Sequence, residues 1–248
     1  MKILKYKKLS GGKYKVTTES MELVLYEEVI LKYELLLKKD IDPLDIQNIS
    51  NDNMFYEVYY CGLNSIKSRF KSVYDLKTLL LKKEFPQDIV DNVINKLLSQ
   101  GYLNDQSFAK AFINNQIVTT SNGPYKIRKL LNDHKIASNI IDTELEVFTD
   151  DIELEKIEKL TKRFYTSNKT RGGFVLRKKI TTDLINYGYD SNLIDKVLSN
   201  YDFSNNPELA KKEYDKLYRK LSRKYSGDEL NLKIREKMYM KGLKYEED

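Results

Sequence analysis

A recurring spacing of apolar residues constrains the fold of this chain more than any other feature. In each of four segments a helix-like run ends at a large apolar residue, and another apolar residue follows five positions later, in the turn. These turn residues are 51, 53 and 54 positions apart, namely Phe85, Ile136, Tyr189 and Leu243. Such a period accommodates three helices of about 12 residues with short connections. The sequence therefore predicts tandem three-helix repeats.

Units of this size bury too little surface to be stable alone, so they must stack on one another. We predict a mainly α fold in which the repeats form an elongated, curved array. The predicted boundaries are 49–103, 104–150 and 151–204 for three complete repeats and 205–248 for a partial fourth. The residues expected in the repeat cores are Leu80, Phe85, Leu131, Ile136, Leu184 and Tyr189.

The first 48 residues follow a different pattern. Two segments rich in β-forming residues flank the turn Ser10-Gly11-Gly12, and residues 22–26 are compatible with a third strand. Helical spacing then begins near Val29. We predict a small strand-containing cap over residues 1–48. An edge-protecting appendage with no binding role is the favoured interpretation, and a binding role stays open.

The second repeat has the clearest helix boundaries. Gly101 can adopt the left-handed conformation that ends a helix, Asn104 can cap the next helix, and Pro124 suits the first position of the one after it. The apolar stripe expected on the helix after Asn104 comprises Phe108, Ala111 and Phe112 and ends at the polar Asn115.

The overall charge favours an anionic partner. The formal net charge is +6 and the pI is about 9.0, a balance typical of proteins that bind nucleic acid or acidic surfaces. Lysine, asparagine, isoleucine and tyrosine are all abundant, which is also what an AT-rich genome produces. The position of the charge is therefore more informative than its sum.

Several classes of protein lack support in the sequence. No run approaches 18 apolar residues and no signal peptide is recognisable, so we expect a cytoplasmic protein. The single cysteine, Cys61, and the single histidine, His134, cannot form a zinc cluster. Neither a phosphate-binding loop nor a nucleophile motif is present. We expect no catalytic residue, no metal and no cofactor.

One cluster of cations stands out from the composition. Residues 162–179, called the basic junction below, contain no acidic residue and seven positive charges: Lys162, Arg163, Lys169, Arg171, Arg177, Lys178 and Lys179. Tyr165 and Phe164 lie among them and can offer stacking surfaces, although Phe164 is expected in the core. We predict that the junction contacts nucleic acid or a protein filament, and a merely solvated surface is the alternative.

A second set of cations lies further along the chain. It is interleaved with Glu213 and Asp215, so a solvated surface is the favoured interpretation there. Its members are Lys211, Lys212, Arg219, Lys220, Arg223 and Lys224.

The middle repeat combines Leu103-Asn104-Asp105 and Phe108-Ala109 with Gly123-Pro124, Ile127 and the pair Leu130-Leu131. This pattern resembles the RecX family, the regulators of the bacterial recombinase RecA. It implies a non-catalytic protein built from three-helix repeats that binds RecA and its DNA filament and restrains recombination. The implied setting is DNA repair and the SOS response. The implied partners are the RecA filament and single- or double-stranded DNA, with no membrane, and a monomer is expected.

The sequence departs from the family pattern before two of the turns. Family members often have glycine immediately before the apolar turn residue, as this chain does at Gly188 and Gly242, but Glu84 and Lys135 occupy the first two positions. A residue other than glycine in the left-handed conformation costs roughly 1 kcal/mol. We therefore expect the first two turns to be built differently.

The function classes that remain are a filament-binding regulator and a stand-alone helical DNA-binding protein such as a transcription regulator. A repressor needs a recognition helix with several base-reading side chains, usually on a dimer. The repeated, similar units offer no outstanding recognition helix, which favours the filament-binding regulator.

Overall fold

The computed structural model describes residues 1–204 and 206–244. Within these residues there are thirteen α-helices and one three-stranded sheet, which confirms the predicted mainly α fold with a strand-containing cap. Position 205 and positions 245–248, both in the predicted fourth repeat, lie outside the described residues. Among the described helices none is both long enough and apolar enough to cross a membrane.

The helices follow one another at short intervals after the sheet. In chain order they are α1 Glu27–Lys32, α2 Leu35–Lys38, α3 Ile46–Ser68, α4 Val73–Leu81, α5 Gln87–Ser99, α6 Asp105–Thr119, α7 Pro124–Asp133, α8 Ser138–Leu145, α9 Asp150–Ser167, α10 Gly173–Tyr187, α11 Ser191–Leu198, α12 Pro207–Leu221 and α13 Gly227–Met240.

The chain divides into two compact units. Unit 1 comprises Met1–Phe108 with His134–Ile136, and unit 2 comprises Ala109–Asp133 and the chain from Ala137 onward. The repeat boundaries given above stay a prediction.

The cap of unit 1 is an antiparallel meander of β1 (Ile3–Lys8), β2 (Lys13–Thr18) and β3 (Glu22–Tyr26). Gly11 and Gly12 in the first hairpin turn have φ angles of 69° and 72°, a conformation that glycine adopts without strain. The sheet packs on α1, α2 and the start of α3 around a buried cluster that includes Val16, Leu25 and Ile30.

A second core lies among α3, α4 and α5. Val58, Leu76, Leu80 and Leu97 are fully buried there. Phe85 is only half-buried against this core, whereas the other five predicted core residues are buried. Five of the six core predictions are thus confirmed, and Phe85 packs at the edge of its cluster.

Helix α6 begins as predicted, and its buried face matches the predicted stripe only in part. The side-chain oxygen of Asn104 accepts a hydrogen bond from the amide of Ser107 at 2.9 Å. Phe108 is buried, but Ala111 is exposed, and Ala109 and Ile113 are buried instead. The predicted stripe is therefore correct at Phe108 and wrong at Ala111, while Phe112 is half-buried.

The turns that follow α4, α7, α10 and α13 share one conformation. Glu84 and Lys135 have φ angles of 63° and 58°, close to the 87° of Gly188 and the 69° of Gly242. The expectation that the first two turns are built differently was therefore wrong. A cost of roughly 1 kcal/mol is small beside the burial of the apolar residues that flank each turn.

Replacing Glu84 with glycine is expected to stabilise the chain by up to about 1 kcal/mol, because it removes the left-handed strain. The greater flexibility of glycine in the unfolded chain offsets part of this gain. The matched control is Lys82→Gly, since Lys82 has a φ of −64° and carries no such strain. Urea unfolding should show the two substitutions moving the free energy of unfolding in opposite directions. A loss in both would contradict the explanation.

Glycine is retained at the last two turns because backbones of unit 2 meet there. A Cβ atom on Gly188 would lie 2.3 Å from the amide nitrogen of Lys126, and one on Gly242 would lie 2.2 Å from the carbonyl oxygen of Gly172. The amide of Gly123 donates to the carbonyl of Tyr187 at 2.7 Å, and the amide of Gly172 donates to that of Lys241 at 2.9 Å. The helices follow one another in groups, α3–α5, α6–α8, α9–α11 and α12–α13, and the second helix of each is called its middle helix below. Each contact joins the start of one middle helix, α7 or α10, to the turn after the middle helix of the next group, α10 or α13.

Two polar side chains of α9 connect helices in unit 2. The Lys156 ammonium donates to the carbonyl oxygens of Ile117 at 2.6 Å and Thr120 at 2.9 Å, at the end of α6. The buried Glu153 carboxylate accepts from the amide of Asp190 at 2.7 Å, before α11. Burial lowers the pKa of Lys156 and raises that of Glu153. The Lys156 side chain is therefore engaged in hydrogen bonds within unit 2.

Candidate nucleic-acid interface

The basic junction spans the end of α9, a short loop and the start of α10. All seven of its predicted site residues are exposed. Asn168 shapes the loop, since its side-chain oxygen accepts from the Arg171 amide at 3.2 Å and its amide group donates to the Arg171 carbonyl. The loop thus has a defined form and presents its cations to solvent.

Ion pairs and a ring contact divide the seven cations into three groups. Arg177 pairs with Asp195 at 3.2 Å and Lys179 pairs with Asp183 at 2.8 Å, while Arg163 lies over the Phe164 ring, 5.1 Å from its centroid. The other four form no ion pair among the described residues, and they are Lys162, Lys169, Arg171 and Lys178. These four are the cations best placed to receive an anionic partner.

The Arg177 ion pair has counterparts in the other helix groups. Lys77 of α4 pairs with Asp91 of α5 at 2.6 Å, and Arg128 of α7 pairs with Asp142 of α8. In each group a cation on the middle helix thus meets an aspartate on the third helix. Arg177 therefore occupies a position with a repeated structural role, which a search for charge clusters alone does not detect.

The two aromatic residues named with the junction differ in their surroundings. Phe164 is half-buried in an open cleft between α9 and α10, beside Leu176 and Ile180, and lies 6.2 Å from the Tyr187 ring. The Tyr165 hydroxyl donates to the carbonyl of Asp202 at 2.6 Å, and its ring packs against Phe203. Tyr165 is thus held by its own unit, and Phe164 is less buried than the sequence predicts.

The second set of cations, on and after α12, has fewer neighbouring surface anions than its sequence suggests. Glu213 is buried and paired with Lys241 and Lys216, and its hydrogen bond to Lys241 lowers the pKa of Glu213. Its carboxylate therefore belongs to the interior, whereas Asp215 is exposed.

The remaining reactive side chains have ordinary surroundings. His134 is half-buried in unit 1, with Nδ1 2.8 Å from an Asp75 carboxylate oxygen and its ring 5.2 Å from that of Phe108. Cys61 is half-buried against the core of α3 to α5. In the ranges 1–204 and 206–244 no group of three histidine, cysteine, aspartate or glutamate side chains is arranged to hold a metal ion.

Known relatives resemble the chain over most of its length. Proteins named regulatory protein RecX match at 28% identity over 224 residues in Listeria innocua and at 26% over 240 residues in Staphylococcus haemolyticus. These alignments cover 89% and 92% of this chain and 83% and 86% of the relatives. No family model matches the sequence.

Solved structures share the fold. A crystal structure of regulatory protein RecX superposes with a TM-score of 0.72 at 21% identity, over 80% of this chain and 99% of that one. RecX from Lactobacillus salivarius gives a TM-score of 0.55 at 22% identity, over 60% and 96% of the two chains. These likenesses support the helical repeat fold. In sequence, the chain is similar over about nine tenths of its length to proteins named regulatory protein RecX.

Proposed function

We propose that this protein is a non-catalytic regulator that binds the RecA–DNA filament and lowers the recombinase and ATPase activities of RecA. The observation that carries the proposal is similarity over about nine tenths of the chain to proteins named regulatory protein RecX. RecA as the partner follows from the family resemblance. Four exposed cations of the basic junction, which form neither an ion pair nor a ring contact among the described residues, add a surface that complements an anionic filament.

Repeated helix groups offer many modest contacts. When such contacts are linked in one chain, the second and later contacts form at a high effective concentration. Inhibition therefore needs fewer regulator molecules than RecA subunits, and single substitutions have mild effects. The protein acts as a monomer in the cytoplasm and contacts either the DNA phosphates or an acidic groove of the filament.

The test adds increasing protein to preformed RecA filaments of the same organism and follows DNA-dependent ATP hydrolysis and strand exchange. We expect both rates to fall at substoichiometric protein, and the protein alone to hydrolyse no ATP. Unchanged rates at equimolar protein would refute inhibition. Sequence-specific binding of a promoter-like duplex under the same conditions would instead support a transcription regulator.

A further inference from the structure

Three middle helices carry an exposed aromatic residue at the same position. Tyr74, Tyr125 and Phe174 are the second residues of α4, α7 and α10, and 44%, 60% and 60% of their surfaces are exposed. Aromatic residues form only 11% of the chain, so composition alone does not explain an aromatic at all three positions. These rings are not packed in the core, and exposed aromatic rings at a repeated position are typical of a surface that contacts a partner.

In two of these helices a free lysine accompanies the ring. Lys129 and Lys178 follow Tyr125 and Phe174 by four residues, and residues four apart lie on the same face of a helix. Both lysines are exposed and form no ion pair within the described parts of the chain. In α4 the corresponding residue is Thr78. Unit 2 therefore presents two matching pairs of aromatic ring and ammonium group.

The backbone beneath both rings is held in place. The Tyr125 amide donates to the carbonyl of Gly188 at 3.0 Å, and Gly172, just before α10, donates to the carbonyl of Lys241. A second ring, Tyr239, is 70% exposed and lies 6.3 Å from Phe174. Because the supporting backbone is already fixed, little ordering cost opposes stacking on these rings.

We propose that Tyr125 with Lys129, and Phe174 with Lys178, bind single-stranded nucleic acid, with an unpaired base stacked on each ring and a phosphate on each ammonium group. Every base has a π-face, and lysine holds phosphate as a point charge, so binding is independent of sequence. A duplex hides its base faces and leaves the rings unused. The inference rests on the proposed function, because the filament supplies the strand, but a free strand can test it.

The experiment measures fluorescence anisotropy of a labelled oligothymidylate and of an abasic strand of the same length, both with the full chain. We expect the wild-type protein to prefer the oligothymidylate, since stacking is worth roughly fivefold to a hundredfold for each base. Tyr125→Ala with Phe174→Ala should lose at least about tenfold on the oligothymidylate and nothing on the abasic strand. The salt slope should stay unchanged, because the lysines remain.

Three controls sharpen the result. Tyr102→Ala removes an aromatic residue that is 54% exposed but lies outside these positions, and it should change nothing. Phe174→Tyr keeps a ring and should retain binding. The chain contains no tryptophan, so Phe174→Trp supplies a unique fluorophore that oligothymidylate should quench. Unchanged thermal unfolding of each variant would show that the fold is intact.

Several outcomes would overturn the inference. Equal wild-type affinity for both strands would exclude stacking, as would wild-type affinity in the double alanine variant. If that variant bound the free strand normally but failed to act on RecA filaments, the rings would contact protein instead. Conversely, base-dependent binding by a protein without effect on RecA ATPase would sustain this inference and remove the proposed function.

Discussion

Gly188→Ala is expected to lower the free energy of unfolding by about 4–6 kcal/mol. The new Cβ atom would lie 2.3 Å from the Lys126 backbone nitrogen, so the two segments of unit 2 must separate. Such overpacking costs about 1–3 kcal/mol, and the left-handed φ of 87° adds about 1 kcal/mol. Separation also weakens the hydrogen bonds that Gly123 and Tyr125 donate across the contact, at about 1 kcal/mol each.

Gly101→Ala is the matched control. Gly101 has a φ of 72°, but nothing lies within 4 Å of its added Cβ atom, so only the backbone strain of about 1 kcal/mol applies. Urea unfolding of the two variants therefore separates the cost of the clash from the cost of the conformation. Equal losses would mean that the close approach at Gly188 contributes nothing to stability.

The positions of the four turns could be predicted from the sequence, but their conformations could not. The spacing of apolar residues located all four turns, because burial acts on patterns that are visible in the sequence. Their conformation was mispredicted at Glu84 and Lys135, since a preference of about 1 kcal/mol yields to tertiary packing. The reason for glycine at 188 and 242 is contact with a distant backbone segment, which no local pattern reveals.

The candidate site was predictable as a region but not residue by residue. Seven cations without an acidic neighbour in sequence identified the basic junction. Which of them are free depends on partners such as Asp195, 18 positions from Arg177, and on the face that each helix buries. Exposure of the aromatic rings could not be predicted from the sequence either. The sequence analysis singled out Phe164 and Tyr165, whereas the exposed ring of this region is that of Phe174.

Reversing three unpaired cations, with Lys162→Glu, Arg171→Glu and Lys178→Glu, is expected to weaken binding to single-stranded DNA and to the filament at least about tenfold. Each lost phosphate contact removes about 0.7 from the slope of log affinity against log salt, so the slope should fall by about 2. Stability should change little, because these side chains are exposed and form no ion pair among the described residues. Affinity measured across a salt series, with thermal unfolding alongside, tests all three expectations.

The control must change the charge equally at another place. Lys211→Glu, Lys212→Glu and Lys220→Glu alter exposed lysines of α12, and each triple variant takes the formal net charge from +6 to zero. If binding depended only on overall charge, both variants would lose the same affinity, because long-range attraction follows the summed field. A local site predicts a large loss for the junction variant alone. Unchanged binding in the junction variant would identify the basic junction as a solvated surface.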